Sequence, residues 1–380
     1  MGYQLNEEGK ELVRLARSFA EKELAPVVAE CDRKGELPMD VYAKAFEIGF
    51  HIMEIPKEYG GLGLDYQTIY AVNEEIARID AGFATGLGAS SLALKPVLIA
   101  GNPAQKQYFA DFITGDKGNG FAAFALTESN AGSDAAAGRT TAVKDGDEYV
   151  INGSKCFITN GGLASIYVVF ALTDKSKGVK GVSAFIVERD RPGVSVGKEE
   201  DKMGIRLSNT TDVIFDEVRI PADHLLGQEG KGFIYAMQTL DLARPAIGAI
   251  SVGIMQRAID EATAYAKTRV TFGKPIIAHQ AIAFKLADME IKKETSRAAV
   301  IDAVNTYQNG GNFSKAAAIC KTYGSDCAVQ VALDAIQILG GYGYSREYPV
   351  EKLLRDAKIM QIFEGTNEIQ RVVISGALAR

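Results

Sequence analysis

The 380 residues include only three histidines, four cysteines and ten prolines. His51, His224 and His279 are scattered, and Cys31, Cys156, Cys320 and Cys327 form no CxxC pair. With no HExxH and no Cys/His cluster at zinc spacing, no metal site is expected. Cys320 and Cys327 fall on one helix face two turns apart and read as packed, reduced thiols, in keeping with a cytoplasmic protein. A GxSxG elbow and a Walker GxxxxGK[ST] loop are both missing. Gly118-Asn-Gly-Phe-Ala-Ala123 matches a loose GxGxxA, but these glycines open a strand where a dinucleotide loop must open a helix. Apolar runs such as Ile166–Leu172 fall far short of the ~20 residues of a membrane helix, so no membrane association is expected. The start, with Asn6, Glu7 and Glu8, has neither a secretory nor a mitochondrial leader pattern, and Asn6 argues against myristoylation of Gly2. Finally, 42 basic against 48 acidic side chains leave a net charge of -6, without the basic excess of a nucleic-acid binder.

What is present is a large apolar content, 47% of residues, arranged with clear periodicity. Glu7–Glu30 carries Leu12, Val13, Leu15, Ala16, Phe19 and Ala20 at helical spacing, and further helices are expected from Tyr66 and over 89–100, the latter interrupted by Pro96. Between Gly120 and Leu226 the pattern changes to short runs rich in Val, Ile, Phe and Tyr: 121–126, 149–152, 155–159, 166–172, 182–188 and 213–220. Asn152-Gly153 predicts a tight hairpin. After Gly227 helical periodicity returns, with long helices over 281–308 and 314–339, the latter ended by Gly340-Gly341. The expected class is α+β: an all-helical domain (1–118), a central β-domain built as a small barrel or sandwich (119–228), and a C-terminal four-helix bundle (229–380).

Three clusters could carry chemistry. Phe124 to Asp134 runs a strand into a loop of small residues, whose backbone can approach a phosphate or a flat polar ring, though an ordinary surface loop reads the same. Cys156-Phe-Ile-Thr-Asn-Gly-Gly162 ends a strand in an aromatic, a hydroxyl and a turn; a core Phe fits equally well. In the third, Ile359 to Arg371, an apolar run delivers Glu364 to a glycine turn and Thr366 can N-cap the final helix. A desolvated carboxylate there has the raised pKa of a general base, while a solvated turn Glu is the alternative.

Taken in order, these clusters resemble the acyl-CoA dehydrogenases from Leu5 to the C-terminus. Leu126-Thr-Glu-Ser-Asn-Ala-Gly-Ser-Asp134 is similar to one family signature. Gln337-Ile-Leu-Gly-Gly-Tyr-Gly-Tyr344, with Tyr348-Pro-Val-Glu351 and Arg355-Asp-Ala-Lys358, is similar to a second. Ile362 to Arg371 resembles the catalytic-base segment. The resemblance implies FAD bound without a Rossmann fold. Phe124, Leu126, Thr127, Gly132 and Ser133 would lie along the flavin, with Phe157, Ile158 and Thr159 covering the ring. Ser133 would serve both the pyrophosphate and the thioester ligand. Arg269, Val270, Thr271, Phe272, His279, Gln280, Gln337, Ile338, Gly340 and Gly341 match positions that hold the adenosine end across a subunit boundary, which implies a homo-oligomer, a tetramer by the family pattern. Thr366 and Glu368 join the cofactor set, and Asp241, Leu242, Arg244 and Gly365 the substrate set.

By the same resemblance Glu364 removes the α proton of an acyl-CoA while the β hydrogen passes as hydride to flavin N5, and an electron-transfer flavoprotein takes the electrons. Relatives that place their base just before the Arg of α-helical Leu240–Pro245 have a carboxylate where this chain has Ala243, leaving Glu364 as the base. Phe157 and Phe363 stand where many relatives have Trp and Tyr. Arg244-Pro245, Glu351-Lys-Leu353 and His279-Gln-Ala-Ile282 lean toward the medium-chain branch. The competing readings are an enoyl-CoA reductase running the reaction backwards, an acyl-CoA oxidase, whose usual extra domain is absent, and a non-catalytic helical scaffold.

Overall fold

The computed structural model describes residues 2–379. Six helices come first: α1 (Glu7–Phe19), α2 (Ala25–Lys34), α3 (Met39–Ile48), α4 (Tyr66–Ile79), α5 (Ala81–Ala100) and α6 (Pro103–Thr114). The single helix expected over 7–30 is instead bent by a π-helical turn at Ala20–Leu24 and runs on to Lys34. Pro26 supplies the reason, since it has no N–H to bond back to Lys22 and the ladder must open there. Asp80 alone joins α4 to α5, its carboxylate accepting from the Phe83 N–H at 2.7 Å. Helix α5 passes through Pro96 without ending. It is long and apolar enough to cross a membrane, a property masked in the sequence by interspersed Gly, Ser and Lys95, but two thirds of that stretch is buried inside the protein.

The middle segment forms one mixed seven-stranded sheet: β1 (Ala122–Ala125), β2 (Thr141–Asp145), β3 (Glu148–Thr159), β4 (Ile166–Leu172), β5 (Val182–Glu188), β6 (Val194–Glu199) and β7 (Thr210–Pro221). The order is β1-β4-β2-β3-β7-β6, with β5 paired to β4. The hairpin expected at Asn152-Gly153 does not form; both residues lie inside β3. Gly153, at φ +149°, sits at a register shift against β7, where an added Cβ would fall 2.7 Å from the Thr140 Cα. Asn152 uses its side chain to clamp Glu217, accepting from its N–H at 2.9 Å and donating to Oε1 at 2.7 Å. The true hairpin is one strand earlier, where Asp145 pairs with Glu148 around Gly146.

The C-terminal helices are α7 (Gly232–Thr268), α8 (Gln280–Gln308), α9 (Phe313–Leu339), α10 (Val350–Met360) and α11 (Asn367–Leu378), with a small ribbon, β8 (Val270–Thr271) and β9 (Lys274–Pro275), between α7 and α8. One large core joins these helices to the N-terminal ones, with Tyr42, Phe83, Ile76 and Ile250 all buried within it. Lys352 of α10 reaches Asp80 and Asp356 at 2.5 Å each, and Asp356 accepts from the Ile205 N–H at 2.6 Å. That buried cluster ties the first helices, the β7-side loop and the last helices together. Its cation is held charged, because the two carboxylates outweigh burial and raise the Lys352 pKa.

Candidate active site

After α10 the chain leaves the helix in a tight turn. Phe363 N–H still bonds back to the Ile359 carbonyl at 3.1 Å, but Glu364 takes φ +57° and Gly365 φ +89°. Left-handed backbone costs a non-glycine residue roughly 1–2 kcal/mol, so neighbouring groups must hold it. Gln370 Nε2 donates to the Glu364 carbonyl at 3.2 Å and to that of Gly365 at 2.9 Å. Lys321 Nζ donates to the Gly365 carbonyl at 2.9 Å and to Asn367 Oδ1 at 2.8 Å. Thr366 caps α11, accepting from the Ile369 N–H at 3.3 Å as the sequence indicated. A Cβ at Gly365 would meet Gln370 Nε2 at 2.7 Å, so glycine is required both by conformation and by space.

The carboxylate that this turn presents is half-buried, and its Oε2 is out of contact with water and has no hydrogen-bond partner among the described residues. Burial pushes the Glu364 carboxyl up to about 7, against the pull of Arg244, Lys321 and Lys95. Arg244, 4% exposed, is ion-paired with Asp241 one turn back on α7, and its Nε has no partner among the described residues. Leu242, between them, offers its carbonyl to the Tyr70 hydroxyl at 3.4 Å. Lys95 of α5 is buried in an ion pair with Glu54, which also accepts from the Tyr66 hydroxyl at 3.2 Å. A poised carboxyl therefore sits inside a ring of cations from three helices.

A second group of residues forms where β1 leaves the sheet. The Cys156 N–H donates to the Thr127 carbonyl at 2.9 Å, and Lys155 Nζ donates to the Leu126 carbonyl at 3.0 Å and to Glu128 at 2.7 Å. Glu128 in turn accepts from the Arg139 and Thr140 N–H groups at 2.6 and 3.0 Å. The 124–133 segment is thus laced to β3 from behind. A register shift between Lys155 and Ile158 turns Phe157 outward at φ +55°, leaving it 65% exposed and not in the core, while Ile158 points in and Thr159 pairs with Thr210. Gly132 and Ser133 are exposed.

The third group lines a cavity of about 770 Å³ with Arg269, Thr271, Phe272, His279, Ile338, Gly340 and Gly341, joined by Tyr265, Tyr342, Ser345 and Glu347. Phe272, at φ +53°, is 92% exposed beside His279, whose Nε2 lies 3.1 Å from the Thr271 carbonyl. Gln280 and Gln337 are exposed next to this cavity's lining without being part of it, and Glu368 is exposed on the first turn of α11. Lys321, Lys95, Lys155, Glu128 and Gln370 escaped the sequence reading. A faint signal existed for one of them, Lys95, a lone lysine in the otherwise apolar run Leu92–Leu98.

Comparison with known proteins shows the family of the chain. Residues 6–116, 123–218 and 230–379 match the N-terminal, middle and C-terminal domains of acyl-CoA dehydrogenase. The chain belongs to the acyl-CoA dehydrogenase family. It is 47% identical, over the full length of both chains, to the acyl-CoA dehydrogenase, short-chain specific, of Megasphaera elsdenii. Its fold matches the structure of butyryl-CoA dehydrogenase from Megasphaera elsdenii with a TM-score of 0.96 at 46% identity, covering 100% of both chains. A chain in a structure of the electron transferring flavoprotein of Acidaminococcus fermentans matches equally, TM-score 0.96 at 45% identity and 100% of both chains. This acyl-CoA dehydrogenase is therefore a flavoprotein oxidoreductase with the family's helical, β and helical architecture. These relatives carry short-chain and butyryl names, whereas the motif reading leaned to the medium-chain branch.

Proposed function

We propose that this acyl-CoA dehydrogenase oxidises short, saturated acyl-CoA thioesters to trans-2-enoyl-CoA, with Glu364 as the base and FAD as the cofactor. The observation that carries the reading is the Glu364 carboxyl itself: its Oε2 is shielded from water and without a partner among the described residues, and the group is held up to about 7. A general base works best when its pKa lies near the operating pH. Ala243, where some relatives carry the base, cannot take a proton. The α C–H of a thioester is far too weak an acid for a carboxylate alone, so hydrogen bonds must reach the carbonyl oxygen as charge develops there. We assign one of these donors to the Glu364 N–H.

The residues present fit FAD. The cavity near Arg269 is open, with nothing within 4 Å of a Cβ at Gly340 or Gly341, and Phe272 and Phe157 leave most of their rings exposed. Thr127, Ser133, Phe157 and Thr159 would hold the flavin end, and Arg269, Thr271, His279, Gln280, Gln337 and Ile338 the adenosine end. Bound there, FAD supplies the two-electron acceptor for the β-hydride. Lys321 and Ile338 are seventeen residues apart on α9, so the Glu364 turn and the adenosine cavity of one chain are separated by about 25 Å. We read the two groups as halves of sites that neighbouring subunits complete, in a homotetramer by the family pattern. We take an electron-transfer flavoprotein as the electron partner, supported by the A. fermentans match.

The test is anaerobic addition of acyl-CoAs of graded length to the FAD-loaded protein while the flavin absorbance is followed. Bleaching fastest with four to six carbons is expected, and Glu364→Gln should slow it by at least about 10²-fold. Rapid bleaching by that variant would overturn the base assignment. A flavin that no acyl-CoA bleaches, but that enoyl-CoA reoxidises after reduction, would favour the reductase direction.

A further inference from the structure

Glu364 is acted on by Arg244 from α7, Lys321 from α9 and Lys95 from α5; Arg244 has its partner Asp241, Lys95 its partner Glu54, and Lys321 is acted on by Asp326 of α9 and Glu368 of α11. The three cations differ in what they touch. Arg244 is paired directly with Asp241, and Lys95 directly with Glu54. Lys321, with a fully buried residue environment, instead hydrogen-bonds two neutral oxygens, those of Gly365 and Asn367. Asn367 is itself fixed, donating to Ser325 Oγ at 2.9 Å and to Asp326 Oδ1 at 2.7 Å. A buried ammonium bonded to the carbonyl beside the base, with no carboxylate in contact among the described residues, is an expensive arrangement for packing alone.

We propose that Lys321 is the positioning residue of the base: its ammonium clamps the left-handed Glu364-Gly365 turn through the Gly365 carbonyl and supplies the charge that keeps the neighbouring carboxyl ionisable. The inference rests on Glu364 being the base. Burial pulls the Lys321 ammonium down to about 7 while Glu364 opposes the fall, and burial raises Glu364 while Arg244 and then Lys321 oppose the rise. Each charge therefore leans on the other. Without Lys321 the turn loses a donor and Glu364 keeps its proton to higher pH.

Two variants separate the roles. Lys321→Met removes charge and donors; Lys321→Gln keeps a donor for the Gly365 carbonyl without the charge. The first readout is the protonated-carboxyl infrared band in the difference between each protein and the same protein carrying Glu364→Gln, followed across pH. Its midpoint should move up by about half to one unit in both variants. The second is the rate of flavin reduction by butyryl-CoA at pH 7, expected to fall at least about tenfold in the Met variant and less in Gln, with KM within threefold. FAD content and melting temperature report folding, and Gln carries the test if Met does not fold. An unmoved infrared midpoint in the folded variants overturns the proposal. Because that midpoint needs no turnover, a protein that no acyl-CoA reduces would count against the dehydrogenase reading alone.

Discussion

The strongest consequence of the Glu364 environment concerns stability. Its carboxyl rises from an ordinary 4.5 to about 7 on folding, because burial outweighs the attraction of Arg244, Lys321 and Lys95. A folded-state pKa raised above the unfolded one means that the native protein binds the proton more tightly. The stabilising contribution is then complete below pH 4.5, declines as pH climbs through 7, and is absent above it. The difference corresponds to about 3 kcal/mol per subunit. Glu364→Gln removes the titration and keeps the shape. At pH 8 the variant should be more stable than the parent by up to about 3 kcal/mol, and at pH 4.5 the two should coincide. For a chain of this length the gap translates to about 4 °C in melting temperature.

The assay is a series of thermal melts of both proteins from pH 4.5 to 8, with FAD saturating so that cofactor linkage is equal. The curves should diverge with rising pH, the Gln variant melting higher. Parallel curves would refute the argument, for they would mean that Glu364 ionises as easily in the folded chain as in the unfolded one. The same carboxyl would then be no better a base than any surface glutamate.

Two further outcomes follow from the buried charges and the exposed ring. Lys352→Met strands Asp80 and Asp356 together in the core, and should cost about 3–5 kcal/mol by guanidinium titration; a loss below about 1 kcal/mol would contradict the bridging role given to that lysine. Phe272→Ala should leave the subunit's own packing untouched, because the ring is 92% exposed, yet weaken FAD binding in equilibrium dialysis by about tenfold or more. Unchanged FAD affinity would remove Phe272 from the cofactor site.

Apolar patterning made the helical, β, helical order legible: helices such as α1 and α10 bury one face at helical spacing, while β4 and β5, buried on both faces, read as continuous apolar runs. Where it misled, a local preference met a tertiary demand. Asn152-Gly153 has the chemistry of a hairpin, but β3 needs glycine there to pass Thr140 and needs Asn152 to hold Glu217. Asp145-Gly146 carries an equally good turn signal and was used instead. Strands β2 and β6 were missed because much of each is exposed and their apolar runs are short. The outward turn of Phe157 was not legible, since nothing local foretells a bulge that turns an aromatic out of the sheet.

The carboxylate of Glu364 was visible in the sequence, but its poise was not, because the groups that set it lie at positions 95, 244 and 321 on three different helices. Poise is a difference between large opposing terms: burial that resists ionisation and cations that favour it. A carboxyl near 7 is about half ionised at neutral pH, so its reactive fraction responds steeply to any charge nearby. Raising it by one unit would leave about a tenth ionised, roughly a fivefold loss in rate before any geometry changes. Arg244 exerts the largest pull on Glu364, and it and Lys95 are each held by a carboxylate of their own. Lys321, bonded to neutral oxygens, adds the next-largest pull on Glu364 and also grips the turn that presents it. Tuning and aiming thus converge on one side chain that no local motif marks.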